Sequence, residues 1–145
     1  MEITIKQLKV FSPDLTQTLN DLLAQLNPTS KTLNDEDVKE IIQGPTNRFF
    51  VARESVKNKI VGMITLVIYR IPVWKKGWIE DLVVDKKYRN QGIATKLINY
   101  AIEKAKVNDV LSLNFTSRPE RETANRLYEK LGFKKRGTNV YKIEF

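Results

Sequence analysis

Val83-Val84-Asp85-Lys86-Lys87-Tyr88-Arg89-Asn90-Gln91-Gly92-Ile93-Ala94 is the stretch whose reading decides the fold. An apolar strand ends, a short polar turn follows, and a helix opens on small residues. A helix that starts this way aims several backbone N–H groups at one spot, at the positive end of its dipole. Such a spot holds phosphate without needing a particular side chain. Gly92 and Ala94 keep the approach open, because a large side chain at either position would hold phosphates away from the backbone. A helix merely starting at a glycine accounts for the same six residues, Arg89 to Ala94, so their flanks decide the matter.

Downstream, Ile93, Leu97, Ile98, Ala101, Ile102 and Ala105 share one helical face, with Lys96, Asn99, Glu103 and Lys106 largely on the other. Trp78 to Val84 reads as the strand before this helix and Val110 to Phe115 as the strand after it. Residues 78–115 are therefore expected to form a parallel, right-handed strand–helix–strand unit. Ser117-Arg118-Pro119-Glu120 fits a Ser-x-x-Glu capping box with Pro in the first turn. The helix it opens would place Ala124, Leu127, Tyr128 and Leu131 on one face and end at Gly132. Phe133 to Arg136 and Val140 to Phe145 predict a closing hairpin around Gly137-Thr138-Asn139.

Upstream, Ile3 to Gln7 alternates as a first strand does. Ser12-Pro13-Asp14 starts a helix with Leu15, Leu19, Leu22, Leu23 and Leu26 on one face. A second helix is expected from Asp35 to Gln43, stopped by Gly44-Pro45. Phe49 to Ala52 and Ile60 to Tyr69 predict a strand hairpin, and Ile71 to Gly77 a loop before the Trp78 strand. There is no internal repeat or linker composition, so residues 1–145 are expected to be a single domain.

The chain has no His and no Cys, which removes Ser-His-Asp and Cys-His nucleophiles, His-based zinc sites, thiolate clusters and disulfides. Acid–base work falls to Asp, Glu, Tyr, Lys or water, and no metal is expected. The first residues lack a basic segment followed by an apolar one, and no apolar run is long enough to span a bilayer. A soluble cytoplasmic protein without a membrane partner is expected. Lys and Arg number 25 against 17 Asp and Glu, a balance of +8 that favours an anionic partner. The basic residues are scattered, as on an ordinary solvated surface.

The order of elements, together with three spaced motifs, resembles the GNAT N-acetyltransferases. The motifs are Trp78-Ile79-Glu80-Asp81-Leu82-Val83-Val84-Asp85, Tyr88 to Ala94 with its Arg-x-x-Gly-x-Ala spacing, and Asn125-Arg126-Leu127-Tyr128-Glu129-Lys130-Leu131-Gly132-Phe133. The likeness is strongest from about Glu80 to the C-terminus and thin before Phe49. It implies a mixed α/β fold, a central mixed sheet with a parallel, splayed strand pair flanked by helices. It also implies acetyl-CoA as co-substrate, with direct attack by a primary amine in a ternary complex. By the same resemblance, Leu82, Val83 and Val84 offer backbone groups to the pantetheine arm. Arg89, Asn90, Gln91, Gly92, Ile93, Ala94 and Thr95 form the pyrophosphate loop, and Asn125 contacts the cofactor.

The resemblance puts the family's general acid on Tyr128. A phenol, with an ordinary pKa of roughly 10, donates to a departing thiolate without being ionised at neutral pH. The alternative reading of Tyr128 is a core aromatic with its hydroxyl in water, and the acid role is favoured over it. Glu80 and Asp81, expected on opposite faces of their strand, supply the base; Glu80 is taken over Asp81. Trp74, Trp78 and Tyr69 either line an acceptor pocket or fill the core. The acceptor is an amine-bearing small molecule or peptide, and homodimerisation is left open. Two readings of other kinds stand beside this one. One is a non-catalytic acetyl-CoA sensor or scaffold. The other is a basic nucleic-acid-binding module, against which no helix-turn-helix, finger or RNP-like pattern appears.

Overall fold

Leu15, Leu19 and Leu22 recur at helical spacing, and in the computed structural model, which describes residues 1–145, all three are buried. They form the inner face of helix α1 (Leu15–Leu26). Helix α2 (Asp35–Gln43) begins at a reciprocal cap: the Asn34 side chain accepts from Asp37 N–H, and the Asp37 carboxylate accepts from Asn34 N–H, both at 2.8 Å. Its Val38 and Ile42 are buried beside α1.

Five strands make one sheet in the order β1 (Ile3–Gln7), β2 (Asn47–Glu54), β3 (Lys59–Arg70), β4 (Lys75–Val84), β5 (Leu113–Asn114). The first three pairings are antiparallel and the last is parallel. Alternation along β2 sends Phe49 and Val51 into the core with α1 and α2, joined by Met63 of β3 and Val83 of β4. Phe50 points the other way and meets Tyr100 of helix α3 (Ile93–Val107) edge-on, with ring centroids 5.0 Å apart. Helix α3 buries Ile93, Leu97, Ile98, Ala101 and Ala105, the apolar face expected from the sequence. Each fully buried side chain of the size of Leu97 contributes about 1.5–3 kcal/mol. Gly62 permits this close packing, since a Cβ there would stand 3.1 Å from Leu97 Cδ1 and 3.2 Å from the Val83 carbonyl oxygen.

The chain forms two compact units, Met1–Phe115, which holds the whole sheet, and Thr116–Phe145. Several elements differ from expectation. Strand β4 starts at Lys75, so the expected Ile71 to Gly77 loop shrinks to four residues. Lys75 and Lys76 pair with Arg70 and Tyr69, polar residues on a half-exposed hairpin that hydrophobic patterning does not mark. Strand β5 is only Leu113–Asn114 rather than Val110 to Phe115, because the chain leaves α3 through left-handed Asp109 and Val110 N–H still bonds to Ala105.

In the second unit the expected capping box does not form, and helix α4 runs Glu122–Lys130 with no side-chain cap. Arg118 to Arg121 is a turn closed by Arg121 N–H on the Arg118 carbonyl, with Pro119 at its favoured second position. Ser117 Oγ is left buried without a partner. The expected closing hairpin is absent as well. Val140, Tyr141, Ile143 and Phe145 are exposed. An alternating pattern sets a face but not a ladder, and a two-stranded hairpin is marginal unless that face is covered.

Candidate functional site

The end of β4 departs from regular strand geometry. Thr65 lies opposite Glu80 and Met63 opposite Val83, so Asp81 and Leu82 together face the single residue Ile64. This is a β-bulge, and Asp81 occupies it with φ 50°, a conformation that a short polar side chain tolerates. Regular alternation of faces is therefore interrupted between Glu80 and Val83. The extra residue breaks the period, and both carboxylates are exposed. The ladder to β5 covers only Gly77 and Trp78. Beyond them the outer edge of β4, including Leu82, Val83 and Val84, has no strand partner.

Asp85 turns that edge into the loop. Its buried carboxylate accepts from Lys87 N–H at 3.0 Å and meets Lys59 Nζ at 3.5 Å. Burial alone would push the Asp85 carboxyl up. The Lys87 N–H, the Lys59 ammonium and the Gln25 amide outweigh it and hold the group below its ordinary value. Gln25 of α1 also accepts from Lys86 N–H at 2.8 Å, pinning the short helical turn Lys86–Tyr88 from 61 residues away. Arg89 folds back, donating from Nε to the Val84 carbonyl at 2.9 Å.

Asn90 and Gly92 are both left-handed, at φ 61° and 76°. Helix α3 begins directly after Gly92 with no side-chain cap. The first-turn N–H groups of Ile93, Ala94 and Thr95 thus lie at a helix end that no side chain covers. A Cβ on Gly92 would meet nothing within 4 Å, so the space before those groups is open. An uncapped, dipole-positive, unobstructed helix start suits a phosphate group. Leu82 to Thr95 therefore run as one continuous stretch, an unpaired strand edge leading into an uncapped helix start.

Glu80 stands on the face of the sheet that carries α1 and α2. In cross-strand register it continues a row formed by Thr65, Val67 and Tyr69 on β3 with Lys76 and Trp78 on β4. Trp78 Nε1 donates to the Tyr69 hydroxyl at 2.8 Å, and both rings are half-buried rather than part of the core. Although the residue as a whole is exposed, partial desolvation by the surrounding strands pushes the Glu80 carboxyl above its ordinary value, and the Asp81 charge pushes in the same direction. Asn47, opposite Val67, also lines an open cavity of about 380 Å³ bounded by the segment before α2 and by α2 itself. No cluster of three or more acidic side chains is placed to hold a metal ion, and no helix is long and apolar enough to cross a membrane.

In the second unit, Asn125 and Tyr128 lie one turn apart on α4. Tyr128 is buried, and Asn125 Nδ2 donates to the Arg118 carbonyl at 3.0 Å, holding the turn that precedes the helix. Sequence reasoning missed the Asp85 anchor, Gln25 and Lys59. An Asp two residues before a free N–H is a legible turn signal, but nothing local marks Gln25 or Lys59.

A family model described as acetyltransferase (GNAT) family matches residues 16–133. N-alpha-acetyltransferase 30 of Schizosaccharomyces pombe is 36% identical over 58 residues, 40% of this chain. The match spans 39% of that protein's own length. Among solved structures, a transcriptional regulator from Bacillus halodurans C-125 superposes with TM-score 0.82 at 28% identity, covering 99% of this chain and 100% of its own. Glucosamine-6-phosphate N-acetyltransferase from Arabidopsis thaliana superposes with TM-score 0.81 at 22% identity, covering 99% of each chain, which is a likeness of fold.

Proposed function

The chain belongs to the GNAT acetyltransferase family, and from that premise we propose that it moves an acetyl group from acetyl-CoA to a primary amine by direct attack in a ternary complex. The observation that carries this reading is the uncapped start of α3 behind left-handed Gly92, at the end of an unpaired strand edge. Pyrophosphate oxygens would take the N–H groups of the Arg89 to Thr95 loop. The pantetheine amides would take the backbone of Leu82 to Val84, and Asn125 would add a polar contact. When bound, acetyl-CoA supplies an activated thioester carbonyl.

The rest falls to this chain's side chains. Glu80, directly or through water, takes the proton that the amine loses as its nitrogen bonds to the acetyl carbon. Partial desolvation suits it to the task, because a carboxylate whose pKa is raised holds a proton more firmly than an ordinary one. Tyr128 gives its proton to the sulfur as the carbon–sulfur bond breaks. The proton returns to the phenol from solvent.

Turnover and binding measured together test this. Acetyl-CoA binding is read by calorimetry, and thiol release in the presence of amino sugars, polyamines, amino acids and peptides. Tyr128→Phe keeps the ring, so stability and acetyl-CoA affinity should change little, while turnover falls on the order of 10²–10⁴-fold. A stable Phe variant that binds cofactor and turns over at the parent rate removes the acid role. Tight binding by the parent with no thiol release from any amine class supports the sensor reading instead.

A further inference from the structure

The row that ends at Glu80 is dipolar, and this selects a substrate class. Lys76 stands opposite Tyr69, two residues before Trp78 and four before Glu80, so its Cα is about 13 Å from that of Glu80. Lys76 is half-buried and its side chain makes no ion pair within the protein. Neighbouring cations are committed elsewhere. Arg70 stacks on the Trp74 ring at 4.7 Å, and Lys75 donates to the Asn108 carbonyl at 3.3 Å. The Tyr69 hydroxyl already accepts from Trp78, which leaves its own proton to donate. At the far end, Glu80 and Asp81 have no cationic partner.

A lysine whose stem is partly covered and whose ammonium has no ion-pair partner in its own chain is left to meet an anion brought by a ligand. Resting on the transferase reading above, we propose that the acceptor is an amine that also carries a carboxylate or phosphate. Lys76 and the Tyr69 hydroxyl hold the anion while the amine lies at Glu80. A neutral amine leaves Lys76 unpaired, and a polyamine sets a second cation against it, so both are selected against.

The chain has two tryptophans, so a Trp74→Phe background makes Trp78 the sole indole emitter, positioned midway along the row. Four probes are titrated against its fluorescence: 6-aminohexanoate, 6-aminohexyl phosphate, hexylamine and 1,6-diaminohexane. At least one anionic probe should bind about tenfold or more tighter than hexylamine, and Lys76→Met should erase the difference while leaving hexylamine unchanged. The two anionic probes tell carboxylate from phosphate. Equal binding of hexylamine, preference for the diamine, no binding by either anionic probe, or indifference to Lys76→Met overturns the proposal. Acetylation of the same probes is followed separately. Lys76-dependent binding of anionic probes that are never acetylated leaves the anion site standing and counts against the transferase reading. Equal acetylation of all four, insensitive to Lys76→Met, does the reverse.

Discussion

Two adjacent carboxylates, Glu80 and Asp81, show how a neighbouring charge sets a side chain's chemistry. The Asp81 charge adds to the effect of partial burial, the larger cause, in raising the Glu80 pKa. A raised carboxyl stays protonated to higher pH, so a base of this kind becomes competent only as pH climbs above the ordinary glutamate value. Asp81→Asn removes the charge yet keeps a residue type that tolerates the left-handed region. The acid limb of turnover should then move to lower pH, without reaching the ordinary value because burial remains. A limb that does not move shows that Glu80 is not the titrating base. Stability follows the same sign. The fold binds this proton more tightly than the unfolded chain does, so Glu80 weakens the fold as pH rises through that window. Glu80→Gln should abolish that decline.

The loop between β4 and α3 depends on an anchor outside it. Asp85 caps the Lys86–Tyr88 turn and meets Lys59, so Asp85→Ala should cost on the order of 1 kcal/mol of stability, as loss of a cap does. It should also weaken acetyl-CoA binding although Asp85 belongs to the supporting shell of the cradle. The Asp85 carboxyl is held below its ordinary value, so its stabilisation is present above that value and lost as pH falls through the folded one. Thermal melts of parent and Asp85→Ala should therefore converge in acid, and a gap independent of pH would assign the loss to packing instead. The strand–turn–helix passage was legible in the sequence because its information is local: a strand end, a polar turn, Gly92 and the apolar face of α3. The elements from Ile3 to Val84 were legible for the same reason, apart from the polar start of β4 at Lys75 and Lys76, which periodicity does not mark. The sequence did not show the bulge, which depends on cross-strand register, nor Gln25, which reaches Lys86 from a different helix. The expected terminal hairpin failed because alternation at Val140 to Phe145 carries no information about a partner strand.

At the scale of the molecule, the charge of +8 is a field rather than a patch. Lys39, Lys59, Lys106 and Lys142 sit against acidic partners, and Arg48, Arg53 and Arg89 donate to backbone carbonyls. Cations spent this way do not line a groove for a polyanion, whereas a diffuse positive field still draws in a small anionic ligand such as acetyl-CoA. The two binding modes respond differently to salt. Duplex binding that neutralises several phosphates loses affinity with a log–log slope of about −0.9 per contact. A cradle of backbone N–H groups around one pyrophosphate is made of short-range hydrogen bonds, which salt screens much less. Acetyl-CoA affinity should therefore change only modestly between about 50 and 200 mM salt, the span over which non-specific duplex binding collapses. Calorimetry with acetyl-CoA and anisotropy with labelled duplex DNA and RNA, both run across that range, check this. Tight duplex binding with a steep slope, and no heat from acetyl-CoA, would reverse the ranking and make the positive field itself the functional surface.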